Sequence, residues 1–525
     1  MGADTFHFDL LPADLDSVRV DTAYMIARRG WPVDSRITLD RERHRITCRI
    51  LEPGGLASSA ALVLQVDLPE VGNLKLRTTL LPPREEPYDL LLELARERIR
   101  HFIQKCEDWQ MFTPSLTAEA RERIEHARSQ LAAAVLAGDP ATEAERARES
   151  VIAAVQAGEL LASSYADILL HHRFGHSAAA ETSLGFRVDP RSQPPEHEPP
   201  DLAEFGVVMV ETPWSLLQPE PGDFDFAAVD RWVEWSRKRR IPLVLGPLVD
   251  LREEVLPDWM LPNLGDYGAL CRSIWQHQEQ IVSRYGAHVA IWCVTSGVHV
   301  NRLARLSHEQ MIDVTRRSAV LVLQAQRNAK VMVELVQPFD DEVALHPDSV
   351  RGYEYAVRAL DEGVHIDCIG LSFECGIARN GSETRDLLAL SDMIDGIGRL
   401  EPPVMITGYA APAGNDDPAA GTWHSPWTEE RQACWATTLY GIALGKMTQR
   451  GESARNRRVG VVESVLWNRL QESAGEPPLG LLDRQGTPRR VFRSLAAVRR
   501  ALRRPLGKSN IRPGDFAANS ESLRK

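Results

Sequence analysis

Between Phe205 and Gly246 the chain spells out one complete strand–helix–strand unit, and that unit limits the folds open to everything around it. The run Phe205-Gly206-Val207-Val208-Met209-Val210 is apolar and β-branched, as a strand buried on both faces requires. Trp214 and the turn residues Pro219, Pro221 and Gly222 make a loop. A helix is expected from about Ala227, with Asp225 as its N-cap and Val229, Trp232, Val233 and Ser236 on its inner face. Arg237 to Arg240 close it, where cations suit the helix dipole. The next apolar run, Ile241 to Gly246, follows at once. Two strands joined by such a crossover lie parallel in one sheet.

The same alternation runs on. Candidate strands are Ser183 to Val188, Phe205 to Val210, Ile241 to Pro247, Val289 to Val294, Lys330 to Leu335, Ile366 to Leu371, Pro403 to Thr407 and Val459 to Leu466, most of them separated by helical patterns. Eight units of this kind predict an α/β chain with a (β/α)8 TIM barrel over residues 179–505. Asp189 to Glu204 is proline-rich, so the first barrel helix is expected to be reduced or lost. Ser307-His308-Glu309-Gln310 is a capping box that opens a helix reaching Gln326 or beyond.

Ahead of the barrel, residues 1–113 read as a small β-rich domain with a closing helix. Leu62, Leu64, Val66 and Leu68 alternate with Val63, Gln65 and Asp67, predicting a strand with one buried face, and Leu74 to Leu80 returns after a turn. Ile37 to Leu39 and Arg45 to Ile50 suggest a second hairpin, and Tyr88 to Trp109 a helix. This domain reads either as a glycan-binding sandwich or as a packing or dimerisation unit. Residues 114–178 read as a helical hairpin, broken at Gly138-Asp139-Pro140, with Thr142-Glu143-Ala144-Glu145 as the capping box of its second helix. Residues 506–525 read as a disordered tail.

The net charge of −12 argues against nucleic-acid binding, which needs clustered cations. The basic run from Arg489 to Arg504 reads as the exposed face of a last helix. No apolar stretch approaches the length of a membrane span, and the N-terminal residues show no signal-peptide pattern. Seven scattered cysteines without a CxxC suggest free thiols in a reducing cytoplasm. No group of His, Cys, Asp or Glu has metal-ligand spacing, so neither a metal nor another cofactor is expected.

Trp214, Leu217-Gln218-Pro219-Glu220-Pro221-Gly222, Phe224-Asp225-Phe226 and Asp230 together resemble the signature of family 10 glycoside hydrolases, the xylanase family of TIM barrels. Gly480 to Arg489 resembles the closing segment of the same barrels. The likeness spans about Thr182 to Leu502. It implies a retaining mechanism with two glutamates at the barrel mouth, one an acid/base and one a nucleophile. The acid/base motif corresponds here to Trp292-Cys293-Val294-Thr295-Ser296-Gly297, and the nucleophile motif to Ile406-Thr407-Gly408. Both glutamate positions thus hold glycine, Gly297 and Gly408. Met209, Val210, Pro213 and Glu374 also depart from the family's sugar site.

The leading expectation is therefore a xylanase-like barrel that binds an oligosaccharide or polysaccharide fragment but has lost the family chemistry. One alternative is an active hydrolase with relocated carboxylates, Glu334 and Glu374. Another is a protein-interaction scaffold. Further carboxylates expected near strand ends are Glu211, Asp250, Asp340, Asp341 and Glu463, whose alternative role is salt bridging to Arg385, Arg469 and their neighbours. Trp214, Trp259, Tyr409, Trp427 and Trp467 are candidate stacking faces for sugar, and His299 and Asn301 candidate hydroxyl ligands. Trp423-His424-Ser425-Pro426-Trp427 concentrates such residues. The alternative is that these rings plug the mouth.

Overall fold

The computed structural model describes residues 5–51, 59–111, 117–415, 417–449, 458–473 and 475–507. From residue 508 onward the expected tail lies outside the described residues. Eight parallel strands close into a barrel: β1 (Leu184–Val188), β2 (Val207–Val210), β3 (Leu243–Leu245), β4 (Ile291–Ser296), β5 (Lys330–Val336), β6 (Cys368–Glu374), β7 (Val404–Ala410) and β8 (Val462–Trp467). Each pairs with the next, and β8 returns to β1, with Trp467 opposite Phe186. The chain is a (β/α)8 TIM barrel.

Alternation sorts the strand residues into two cores. Val207, Met209, Val244, Cys293, Met332, Cys368, Met405 and Leu466 form a separate cluster inside the barrel. Their neighbours in sequence, among them Phe186, Val208, Trp292 and Trp467, face the surrounding helices. Each large side chain buried this way contributes about 1.5–3 kcal/mol.

The first barrel helix is lost, as expected: between β1 and β2 only a 3-10 turn, Pro200–Glu204, is formed. The helix after β2 is Ala227–Arg239, and Val229, Trp232, Val233 and Ser236 are buried on it. Its N-cap is Phe226 rather than Asp225, although the Asp225 carboxylate still accepts the Ala227 N–H at 2.9 Å. The capping box at Ser307 and Gln310 is formed.

Several strands run further than their apolar stretches suggest. β4, β6 and β7 continue through Ser296, Glu374 and Ala410, because parallel pairing persists into a polar rim. Gly408 consequently lies within β7, opposite Ser372, and Gly297 lies just past β4.

The N-terminal region contains two four-stranded sheets. One orders Ser35–Asp40, Arg45–Ile50, Thr5–Asp9 and Tyr88–Asp89. The other orders Pro32–Val33, Val18–Ala27, Ala60–Leu68 and Gly72–Arg77. The strand Ala60–Leu68 is buried on both faces rather than one, and Gln65 is sealed despite its polarity. Its second face and that of Gly72–Arg77 meet the barrel. Three helices follow: α1 (Leu90–Asp108), α2 (Ala118–Val135) and α3 (Pro140–Phe174). The cap of α3 is Asp139, which accepts from Thr142 N–H at 2.9 Å, so the capping box expected at Thr142 is not used. Pro140 starts the helix because its missing N–H costs nothing there.

Candidate functional site

Above the apolar cluster, the inward positions of the barrel turn polar. Arg187 sits two residues beyond Gly185 on β1, Glu334 two beyond Met332 on β5, and Thr407 two beyond Met405 on β7. They meet across the barrel. Arg187 donates from Nη1 to Glu334 Oε1 at 2.8 Å and from Nε to Glu211 Oε1 at 2.5 Å. Ser296 donates to Glu334 Oε2 at 2.5 Å, and Thr407 donates to Glu334 Oε1. Arg187 is 3% exposed and Glu334 0%. Burial opposes the Arg187 charge, but Glu334 and Glu211 more than offset it and hold the guanidinium protonated. Gly370 makes room for this layer, since a Cβ there would stand 3.2 Å from Glu334 Cα.

The rim carries a second polar set. Asp250 accepts Arg252 Nε at 3.0 Å. Glu374, the last residue of β6, accepts Asn468 Nδ2 at 2.6 Å and Arg379 Nη1 at 3.4 Å. Glu211, Arg252, Ser372 and Asn468 remain partly exposed. Neither Arg385 nor Arg469 reaches Glu334 or Glu374: Arg385 pairs with Asp341, and Arg469 with Glu476. Glu463 is the second residue of β8 and so belongs to the opposite end of the barrel from the mouth.

Gly297 and Gly408, the glycines that the sequence resemblance aligned with two glutamates, are hemmed in. Gly297 has φ +60°, and a Cβ would lie 2.7 Å from Val336 Cγ2. A Cβ on Gly408 would lie 2.5 Å from Asn468 Oδ1 and 3.0 Å from Ser372 Oγ. Asn468 and Ser372 therefore occupy the space a side chain at 408 would enter, and Asn468 uses its amide to hold Glu374.

Of the residues expected to contact sugar, only Trp259 is partly exposed. Its indole N–H donates to Gln218 O at 3.1 Å. Trp214 stacks on His277 at 4.4 Å and donates to Gln218 Oε1. Tyr409 and Trp467 are 0% exposed, and their rings meet edge to face at 5.0 Å. Trp427 donates to Gly421 O and Trp423 to Glu159, both from buried positions. Asn301 spends its amide on the loop, donating to the Leu306 and Asp348 carbonyls and accepting Leu306 N–H. His299 is buried, which lowers its pKa to about 4, and its Nε2 has no partner. Of these rings only Trp259 keeps part of its surface exposed, while it packs edge to face on Trp214.

The N-terminal sheet grips the loops around this mouth. Lys75 N–H donates to Thr384 O, Thr422 N–H to Asn73 O, and His424 N–H to Val71 O. These loops follow β6 and β7. The Lys75 ammonium is buried and pairs with Asp341 and with Glu383, the latter at 3.1 Å, while Arg385 also pairs with Asp341. Asp340 pairs instead with Arg351 at 2.7 Å.

Arg187, Ser372 and Asn468 were not singled out in the sequence, although Arg187 carried a signal. It is the one charged residue in an apolar strand, at the same inward parity as Glu334 on β5.

Comparison with protein-family models and with curated proteins returns no match. Solved structures do resemble the chain. Xylanase 10B from Thermotoga petrophila RKU-1, in complex with xylobiose, aligns with a TM-score of 0.45 at 15% identity, over 63% of this chain and 96% of its own. GH10 from Paenibacillus barcinonensis gives 0.44 at 16% identity, over 60% and 94%. The intracellular xylanase TsXylA from Thermoanaerobacterium saccharolyticum, complexed with xylotriose, gives 0.42 at 15%, over 62% and 96%. At these values the barrel itself, closed strand by strand, carries the fold assignment.

Proposed function

We propose that this protein is a xylanase-like barrel that binds an oligosaccharide at its C-terminal mouth without hydrolysing it by the retaining route. The supporting observation is the pair Gly297 and Gly408, together with what fills the space beside them. Neither position offers an acid, base or nucleophile, and Asn468 and Val336 stand where such side chains would begin. Glycine at both removes proton transfer and covalent catalysis together. The half-exposed Glu211, Arg252, Ser372 and Asn468 supply donors and acceptors for sugar hydroxyls, with Trp259 as the one partly open ring. Recognition through hydrogen bonds rather than through a row of stacked rings is the reading that these residues favour.

A relocated pair, Glu334 and Glu374, is less well supported. Glu334 is fully buried and both its oxygens accept protein donors, so the carboxyl is not open to solvent at the mouth. The test is a hydrolysis assay against a panel of oligosaccharides beside calorimetric titration with the same panel, repeated with Glu374→Gln. Saturable binding without product supports the proposal. Product formation abolished by Glu374→Gln overturns it in favour of the relocated pair.

A further inference from the structure

At the end of the barrel opposite the mouth, a cavity of about 780 Å³ opens between the starts of β2 and β3 and the last helix, Arg490–Ala501. Four arginines line it: Arg239, Arg240, Arg499 and Arg503. Arg239 is paired with Glu198, and Arg503 with Glu204 at 2.9 Å. Arg499 is different. It is 3% exposed, and its Nε and Nη1 are buried without a hydrogen-bond partner. No carboxylate among the described residues forms an ion pair with it. A neighbouring polar group is the Tyr440 phenol, which is shared with Ser183 Oγ at 3.3 Å and carries no countercharge.

A buried guanidinium without an anion is strongly unfavourable. Three carboxylates also line the cavity, Glu181, Glu198 and Glu204, but among the described residues none forms an ion pair with Arg499: Glu198 pairs with Arg239 and Glu204 with Arg500 and Arg503. Water satisfies an N–H but not a charge. The planar fork of arginine matches the oxygen spacing of carboxylates and phosphates. The cavity volume falls in the range of small-molecule sites, roughly 300–1,000 Å³. We propose that this cavity is a binding site for a small oxyanion, a phosphate ester or a carboxylate, held by Arg499 inside and by Arg240 and Arg503 at the rim. The site is independent of the mouth, because it is built from the chain's entry into β2 and β3 and from the last helix.

The test is calorimetric titration of the full chain with inorganic phosphate, glucose 6-phosphate and citrate, each against sodium chloride at matched ionic strength. Saturable binding is expected for at least one of them. A preference for glucose 6-phosphate identifies a phosphate ester, and a preference for citrate a carboxylate. Arg499→Met should weaken binding about tenfold or more while leaving the fold intact, since it removes an uncompensated charge. Arg493→Ala, on an exposed face of the same helix, should bind as the parent does. Should Arg499→Met fail to fold, Arg503→Gln serves, with a severalfold loss of affinity expected. No saturable binding above the chloride control, or equal affinity in the Arg499 or Arg503 variant and the parent, overturns the proposal.

Discussion

Replacing Arg187 with Met removes the cation on which the polar layer of the barrel depends. The side chains of Arg187 and Glu334 are 4% and 0% exposed, and among the described residues Arg187 is the one cation paired with Glu334. After the change its carboxylate remains buried, with the Ser296 and Thr407 hydroxyls as its donors. Breaking one side of a buried ion pair costs about 3–5 kcal/mol. Two surviving hydroxyl bonds and the volume of Met place the expected loss at the lower end, about 3 kcal/mol. Glu334→Met added to Arg187→Met should recover much of it, because replacing both charges with apolar groups leaves nothing unpaired. Urea unfolding followed by tryptophan fluorescence reads both, since Trp292 and Trp467 lie in strands of the same barrel. A single variant within about 1 kcal/mol of the parent, or a double variant less stable than either single, would refute the reasoning.

Further outcomes are expected. Gly408→Ala should destabilise by about 1–3 kcal/mol through overpacking against Asn468. Gly297→Ala should cost about 1–2 kcal/mol for its left-handed backbone. Thermal melts check both, and the double variant with Glu at these positions should show no retaining hydrolysis of xylan. Lys75→Met should cost about 3 kcal/mol by stranding Glu383, with Asp341 still held by Arg385. Hydrogen exchange should then show lost protection where Lys75 pairs with Thr384, and unchanged protection there would count against a clamping role. His424 contributes a pH dependence. Burial lowers its pKa, but Glu159 at 2.7 Å and the Glu70 carbonyl raise it above the ordinary imidazole value. A raised histidine stabilises fully below its unfolded value, about 6.5, and its contribution fades as pH rises through the folded value. His424→Gln should therefore narrow the stability difference between about pH 6 and about pH 8.5, and an unchanged difference would exclude His424 as its source.

The barrel was legible because its signals are local. Apolar runs such as Val207 to Val210 and the amphipathic face of Val229, Trp232 and Val233 each specify an element without reference to distant residues. The Pro-rich stretch before Phe205 announced the missing helix in the same way. The rim was less legible, since β6 and β7 keep pairing through Ser372, Glu374, Gly408 and Ala410 after the apolar pattern has ended. Parallel pairing there is dictated by the neighbouring strand, not by the residue itself. The burial of the aromatics was illegible for a related reason. A tryptophan beside a loop reads the same whether it faces solvent, as Trp259 partly does, or seals a core, as Trp467 does. The partner of Glu334 is 147 residues away in the chain, so only the closed sheet brings it to Arg187.

The most direct test of the central claim is saturation-transfer NMR on the full chain mixed with xylo-oligosaccharides. It reports contact with sugar and the fate of the anomeric signals in one sample. The account predicts transfer to sugar protons, reduced by Asn468→Ala, with anomeric signals that do not change over the incubation. Growth of new reducing-end signals with retained configuration would contradict the loss of catalysis. Absence of transfer would contradict xylo-oligosaccharide binding at the mouth.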